Sequence, residues 1–301
     1  MRKRLAAICA VTVCVCACGG SPQAPSPVSV DLSNSAPSAV GPSSVLLAAG
    51  DIALCGSEGS ELTARLLDSM DGTVVAAGDN AYPSGRLEDY RNCYQPSWGR
   101  HLDRTRPTPG NHEYETAGAT PYFTYFGPNA GPAGRGYYSY TLGSWHIVSL
   151  NSETDLRAGS PQEQWLRADL QANRTSCTAA YWHRPRFSSG KHGNNTDMQE
   201  LWRVLYEFHV DVAISGHDHL YERFAPQDAS GRADPERGIR QFVAGTGGAA
   251  MHAFNGTAAN SEAQGFDWGV LKLTLGADAY SWEFVPAAGG SFHDNGTYPC
   301  H

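Results

Sequence analysis

Two nearly identical phrases constrain this chain more than any other feature. Residues 46–51 read LLAAGD and residues 74–79 read VVAAGD. A short apolar run of this kind predicts a strand buried on both faces. Aspartate is a poor strand residue and costly to bury. Two strands that each stop on Gly-Asp therefore predict that Asp51 and Asp79 are delivered to one place. Between them, residues 58–70 (EGSELTARLLDSM) repeat Leu62, Leu66, Leu67 and Met70 at helical spacing, the pattern of an amphipathic helix. Strand, helix, strand is a parallel βαβ unit.

Two later runs also end on polar side chains: AAYWH (179–183) on His183 and VDVAISGH (210–217) on His217. A second helix is expected from Ser160, because SPQE puts Pro161 at the first helical position and Glu163 three residues past the cap. A third follows Thr196, with Gln199 in the box position and Met198, Leu201, Trp202 and Leu205 on an apolar face. Late in the chain, IRQFVAG (239–245), WGVLKLTLG (268–276) and AYSWEFVP (279–286) alternate and are rich in β-formers. Helices early and strands late make an α/β chain of mixed α+β character. The expected architecture is a four-layer αββα sandwich, two mixed β-sheets flanked by helices, rather than a simple doubly wound sheet.

The N-terminal segments fall outside that unit. Residues 1–17 begin with Arg2, Lys3 and Arg4 and continue as a short apolar stretch, which reads as a secretory signal. Val15-Cys16-Ala17-Cys18 resembles a bacterial lipoprotein processing site, which implies cleavage before Cys18 and lipid on that cysteine. The chain is then expected to be an exported cell-envelope lipoprotein, touching a membrane only through that lipid. Ordinary signal-peptidase cleavage nearby gives a soluble secreted or periplasmic protein instead. Residues 18–44, rich in Ser, Pro, Ala and Gly without aromatics, read as a flexible tether. Residues 45–301 are expected to form a single catalytic domain.

Four cysteines remain there: Cys55, Cys93, Cys177 and Cys300. Their wide spacing does not suit a zinc site, and an exported domain favours disulfides. Three pairings are possible; we favour Cys55 with Cys93 and Cys177 with Cys300. The formal net charge is −8, and losing Arg2, Lys3 and Arg4 makes it three units more negative. With no basic cluster in the remainder, nucleic-acid binding is not expected.

Ligands of open α/β sheets bind beyond the carboxyl ends of the strands. Asp51, Asp79, His183 and His217 are therefore expected to meet along one edge. More donors follow at once: GDNAY (78–82) adds Tyr82, GNHE (110–113) adds Asn111 and His112, and GHDH (216–219) adds His219. The set is rich in oxygen and nitrogen, has no thiolate, and is too large for one ion. It suits two hard-to-borderline metals sharing a carboxylate. Gly50, Gly78, Gly110 and Gly216 each precede a candidate ligand, where glycine allows a sharp turn and close backbone approach.

These motifs, over about residues 45–250, resemble those of the calcineurin-like metallophosphoesterases and specifically the purple acid phosphatases. Tyr82 in GDNAY discriminates, because GDxxY marks the purple branch, in which tyrosinate binds ferric iron. WHRPRF (182–187) and GHDHLYERF (216–224) are similar to the plant-type members; GDNAY is nearer the small mammalian type. The resemblance implies a dinuclear metal centre. Fe(III) would be held by Asp51, Asp79, Tyr82 and His219. A divalent ion (Fe, Zn or Mn) would be held by Asp79, Asn111, His183 and His217, so that Asp79 bridges. His112 would contact the substrate phosphate. His192 lies nine residues past His183, about where plant members carry a histidine pair, but the second position here is Gly193. Where the family has Asp-x-Gly, this chain has Asp51-Ile52-Ala53, and the added methyl is expected to narrow the approach to the metals without abolishing binding. Glu222 and Arg223 read as structural. His101, His146, His209, His252, His293 and His301 match no motif and read as surface or core residues.

The function implied is that of an acid phosphatase acting on small phosphate monoesters by direct attack of metal-bound hydroxide. His112 and His192 would then stabilise phosphate and protonate the leaving oxygen. The alternatives are a phosphodiesterase of the same superfamily with two divalent metals, or an inactive surface-binding lipoprotein.

Overall fold

A computed structural model describes residues 43–301, which belong to one compact unit. The expected signal segment, Cys18 and nearly all of the tether lie outside the described residues. Ser44, assigned to the tether by composition, instead opens the first strand.

The described residues form thirteen strands in chain order: β1 (Ser44–Ala49), β2 (Thr73–Ala77), β3 (Thr105–Thr108), β4 (Tyr138–Leu142), β5 (Trp145–Ser149), β6 (Thr178–Tyr181), β7 (Val212–Ser215), β8 (Tyr221–Phe224), β9 (Arg240–Ala244), β10 (Ser261–Gly265), β11 (Gly269–Leu275), β12 (Ala279–Pro286) and β13 (Asn295–Pro299). One sheet runs β13-β12-β11-β1-β2-β3 and the other β10-β8-β9-β7-β6-β5-β4. Both are mixed. β1, β2 and β3 pair in parallel while β11 joins β1 antiparallel. In the second sheet β5, β6, β7 and β9 are parallel and β4 and β8 antiparallel.

The apolar runs are buried on both faces because each strand separates two cores. Leu46, Ala48, Val75 and Ala77 point between the sheets, against Tyr181, Ile214 and Phe242. Leu47, Ala49, Val74 and Ala76 face outward, toward Leu67, Tyr90, Tyr94 and Trp98. Ala180, Trp182 and Ala213 likewise face Leu166, Leu201 and Trp202 on the far side of the second sheet. Helices α1 (Gly59–Asp68), α2 (Leu87–Asp89, continued by the turn Tyr90–Tyr94) and α3 (Thr120–Phe126) supply side chains to the first outer layer. α4 (Pro161–Ala172) and α5 (Gln199–Glu207) form the other. The expected four-layer αββα sandwich is the fold. Each buried Leu or Val contributes about 1.5–3 kcal/mol to it.

Two helices differ from expectation in detail. α1 buries Gly59, Ser60, Thr63, Ala64 and Leu67 rather than a stripe through Leu62 and Leu66. Small residues let it sit close: a side chain at Gly59 would meet the Gly248 carbonyl at 2.5 Å, and the Thr63 hydroxyl donates to the Gly247 carbonyl at 2.6 Å. α4 starts as expected, with Ser160 accepting from the Glu163 amide. α5 does not use a box on Thr196. Asn195 caps a preceding tight turn by accepting from the Asp197 amide, and the helix starts after it. The structure pairs Cys55 with Cys93 and Cys177 with Cys300.

Candidate metal centre

The parallel pairs set the site. β1 and β2 align Leu47 with Val74 and Ala49 with Ala76, one residue out of step with the repeated phrase. The pairing runs on past the strands, Asp51 donating its amide to the Gly78 carbonyl at 3.0 Å and Ile52 to the Asp79 carbonyl at 2.9 Å. β6 and β7 repeat the arrangement: Tyr181 aligns with Ile214, and the Gly216 amide donates to the His183 carbonyl at 2.9 Å. Asp51 (φ 60°), Asp79 (φ 47°) and His217 (φ 71°) then turn into the left-handed region. Such strain costs about 1–3 kcal/mol per residue and clusters at functional sites. Of the four preceding glycines only Gly78 has φ in that region, +80°. Gly216 is needed for closeness, since a side chain there would meet Asp51 Oδ2 at 2.6 Å.

All seven candidate ligands converge. Asp51 and Asp79 are buried, and each fixes one carboxylate oxygen on a backbone amide: Asp51 Oδ2 accepts from His217 (2.7 Å) and Asp79 Oδ1 from His112 (2.9 Å). Their other oxygens face the centre. The Tyr82 hydroxyl lies 3.0 Å from Asp51 Oδ1, 3.2 Å from Asp79 Oδ2 and 3.1 Å from His219 Nε2. His219 Nε2 is 3.2 Å from Asp51 Oδ1. In the adjoining group, His183 Nε2 lies 3.2 Å from Asp79 Oδ2, 3.2 Å from Asn111 Oδ1 and 3.2 Å from His217 Nδ1. Asp79 Oδ2 is therefore common to both groups.

Two imidazoles are oriented from behind. His183 Nδ1 bonds the Ala77 carbonyl at 3.0 Å and His219 Nδ1 the Ala250 carbonyl at 2.6 Å, which leaves each Nε2 toward the centre. The Nε2 lone pair of His183 then faces a carboxylate oxygen and an amide oxygen. Acceptors this close are reconciled only by a proton or a cation between them. The charges say the same: burial disfavours a charge on His183, but Asp79 more than offsets it and raises the imidazole to about 10. Burial also opposes ionisation of Asp79, yet His183 and His112 hold its carboxyl below the usual range. Burial, then the neighbouring Asp51 and Asp79, pushes the Tyr82 phenol well up. A donor set with two buried carboxylates, an amide oxygen, a phenol and three imidazoles fits two cations.

Glu113 braces the centre. Sequence reasoning gave it no role, but it is fully buried and accepts from the amides of Asn80 (2.9 Å) and Gly110 (2.7 Å) and from the Tyr90 hydroxyl (3.1 Å). Ala53 does not narrow the approach as expected: it packs in the outward core with Ile52 and Ala81, and its carbonyl accepts from the Tyr82 amide at 2.9 Å. Glu222 and Arg223 hold structure, Arg223 through Asp294 at 2.8 Å. Both second-rank histidines reach the site. His112 binds the Pro83 carbonyl through Nδ1 and packs tilted against Tyr82, centroids 4.5 Å apart; the His192 ring is 4.2 Å from that of His217. With Lys191 and His252 they line a cavity of about 220 Å³ over the centre. His252 corrects the reading that left it as surface or core. Its one signal is a strand stopping on Gly245, with a histidine seven residues on. A larger cleft of about 840 Å³ adjoins through Arg184, whose Nη1 is 3.3 Å from His217 Nε2; it holds none of the seven.

A four-layer sandwich that gathers carboxylates and imidazoles at the carboxyl ends of its parallel strands defines a metallophosphoesterase-type fold with a two-cation cage. The description "Calcineurin-like phosphoesterase" matches residues 44–221, more than half of the chain, and the chain belongs to that family. Its relatives include purple acid phosphatase 21 of Arabidopsis thaliana, 34% identical over 161 residues, covering 46% of this chain and 37% of that protein. Probable purple acid phosphatase 20 of the same plant is 33% identical over 162 residues, covering 45% and 38%. The chain thus spans under two fifths of the length of these curated relatives. In fold it is similar to purple acid phosphatase PPD1 from yellow lupin (Lupinus luteus) seeds, with a TM-score of 0.71 at 20% identity, over 86% of this chain and 54% of that one.

Proposed function

We propose that the protein is a purple-type acid phosphatase that hydrolyses small phosphate monoesters at a dinuclear centre of Fe(III) and a divalent ion (Fe, Zn or Mn). The observation that carries this reading is Asp79 Oδ2, 3.2 Å from the Tyr82 hydroxyl on one side and 3.2 Å from His183 Nε2 on the other. Asp51, Asp79, Tyr82 and His219 would hold the ferric ion; Asp79, Asn111, His183 and His217 would hold the divalent one. When bound there, two cations would clamp phosphate oxygens, offset the charge of the transition state and lower the pKa of water at the site.

The chain's own residues do the rest. The backbone amides of His217 and His112 fix the carboxylates, and the Ala77 and Ala250 carbonyls fix two imidazoles, so the cage is organised before substrate arrives. His112, anchored through Nδ1, presents Nε2 toward the cavity, 3.8 Å from Asp79 Oδ2. There it can hold a phosphoryl oxygen and give a proton to the departing alcohol. His192 lines the same cavity and supports that step. As the ester P–O bond breaks, a new one forms to the oxygen of water, and the alcohol leaves protonated.

The test is metal analysis and a visible spectrum on protein purified without chelator, with turnover of para-nitrophenyl phosphate and its bis-ester. Two metal equivalents, a visible band lost in Tyr82→Phe and preference for the monoester are expected. A colourless protein that prefers the bis-ester would replace the proposal with the two-divalent phosphodiesterase. Metal-loaded protein inert on both would leave the surface-binding reading. We also infer export, with a lipid on Cys18 as the membrane attachment; the mass of the mature N-terminal peptide tests it.

A further inference from the structure

Two imidazoles sit on the cage without belonging to it. The His252 ring lies flat on that of His219, 3.8 Å between centroids and 9° between planes, and its amide donates to the His219 carbonyl at 2.9 Å. The His192 ring stands 4.2 Å from that of His217 and 5.5 Å from that of His252. One ring thus covers a candidate ligand from each half of the cage, and both line the cavity with Lys191. His252 Nδ1 is buried with no hydrogen-bond partner among the described residues, an arrangement that costs free energy unless something at the site satisfies it.

That partner is an anion rather than a third cation. His192, His252 and Asp218 do bring ligand atoms within 4.8 Å of one another. But Asp218 is fully buried and its oxygens are already used, one by the Ser188 hydroxyl and one by the His192 amide. The charge of Lys191, which lines the same cavity, also repels a metal ion and attracts phosphate.

We propose that Lys191 and His252, with His192, form a wall that grips the outward oxygen of a doubly charged phosphoryl group, so that the site selects phosphate monoesters, and phosphate itself, over diesters. This rests on the phosphoester-hydrolase reading above. A monoester dianion shares its two charges over three non-ester oxygens; with two toward bound cations, the third would face the wall. In a diester that position carries an uncharged ester arm, and the wall gains nothing from it.

The experiment compares His252→Phe, which keeps a flat ring on His219, and Lys191→Gln with the unaltered metal-loaded protein. Metal content, calorimetric binding of inorganic phosphate, and kcat and KM on para-nitrophenyl phosphate and its bis-ester are measured. Expected are two metal equivalents throughout, an approximately tenfold loss of phosphate affinity in each variant and a matching rise in KM for the monoester alone. Unchanged phosphate affinity overturns the wall. So do equal losses on both esters, or a third metal equivalent that His252→Phe removes. If the unaltered protein turns over neither ester, the hydrolase reading fails by itself, and phosphate binding still decides whether the wall exists.

Discussion

Strands β6 and β7 have two ends, built on opposite terms. At their carboxyl ends stand His183 and His217, among buried carboxylates whose inward oxygens face other acceptors, on backbone strained at Asp51, Asp79 and His217. At their amino ends stand Cys177 and Asp211, each with its partners in place. Cys177 is bonded to Cys300. Asp211 accepts from the Thr178 amide (2.8 Å) and the His301 amide (2.9 Å), and lies 3.0 Å from His301 Nδ1. One end holds the sandwich together; the other concentrates charge and strain that only a bound partner relieves. Stability and ligand affinity should therefore be separable by mutating one end at a time.

The largest effect should come from the shared carboxylate. Asp79→Asn is expected to cut phosphoester turnover roughly 10³-fold, with loss of at least one metal equivalent by elemental analysis. Full metal retention and turnover would break the contrast between the ends. Next, the double change Cys177→Ser, Cys300→Ser should cost about 2–5 kcal/mol in denaturant unfolding while leaving metal stoichiometry intact. If metal content falls with stability, the two ends are not independent. Gly216→Ala forces a methyl against Asp51 Oδ2 and the Ala77 carbonyl, at 2.6 and 2.9 Å. About 1–3 kcal/mol of destabilisation is expected, with weaker metal retention during dialysis against chelator.

The smallest effect concerns the C-terminal clasp. The hydrogen bond to Asp211 raises the His301 imidazole above its ordinary value near 6.5, against the opposing effect of burial. A raised folded-state value means the pair's stabilisation is fully present below the ordinary value and fades as pH climbs through the raised one. His301→Ala should therefore lower Tm more at pH 5.5 than at pH 9. An equal loss at both would show that the clasp is not electrostatic.

Much of the cage was legible because its carriers are pure. Leu-Leu-Ala-Ala and Val-Val-Ala-Ala read as strands buried on both faces, so the polar residue ending each is conspicuous. Architecture followed from the order of such runs. What stayed hidden lacks one-dimensional form. β3 reads Thr-Arg-Pro-Thr, and its proline is tolerated only because the strand lies at the sheet edge. α1 buries Thr63, whose hydroxyl bonds the distant Gly247 carbonyl, a contact no helical spacing announces. His252 is 33 positions from the ring it covers, joined to it by stacking that leaves no spacing to read. Glu113 hides inside a motif whose neighbours draw the notice, its role visible only from the amides it binds.

The cage draws on both sheets. Asp51, Asp79, Tyr82 and Asn111 follow β1, β2 and β3, while His183, His217 and His219 follow β6 and β7. All the oxygens come from the part of the chain made first and all the nitrogens from the part made later. A chain that stops after β5 carries none of the three imidazoles, so it lacks His219 from one group and His183 and His217 from the other. Neither group of ligands is whole until one sheet has closed over the other.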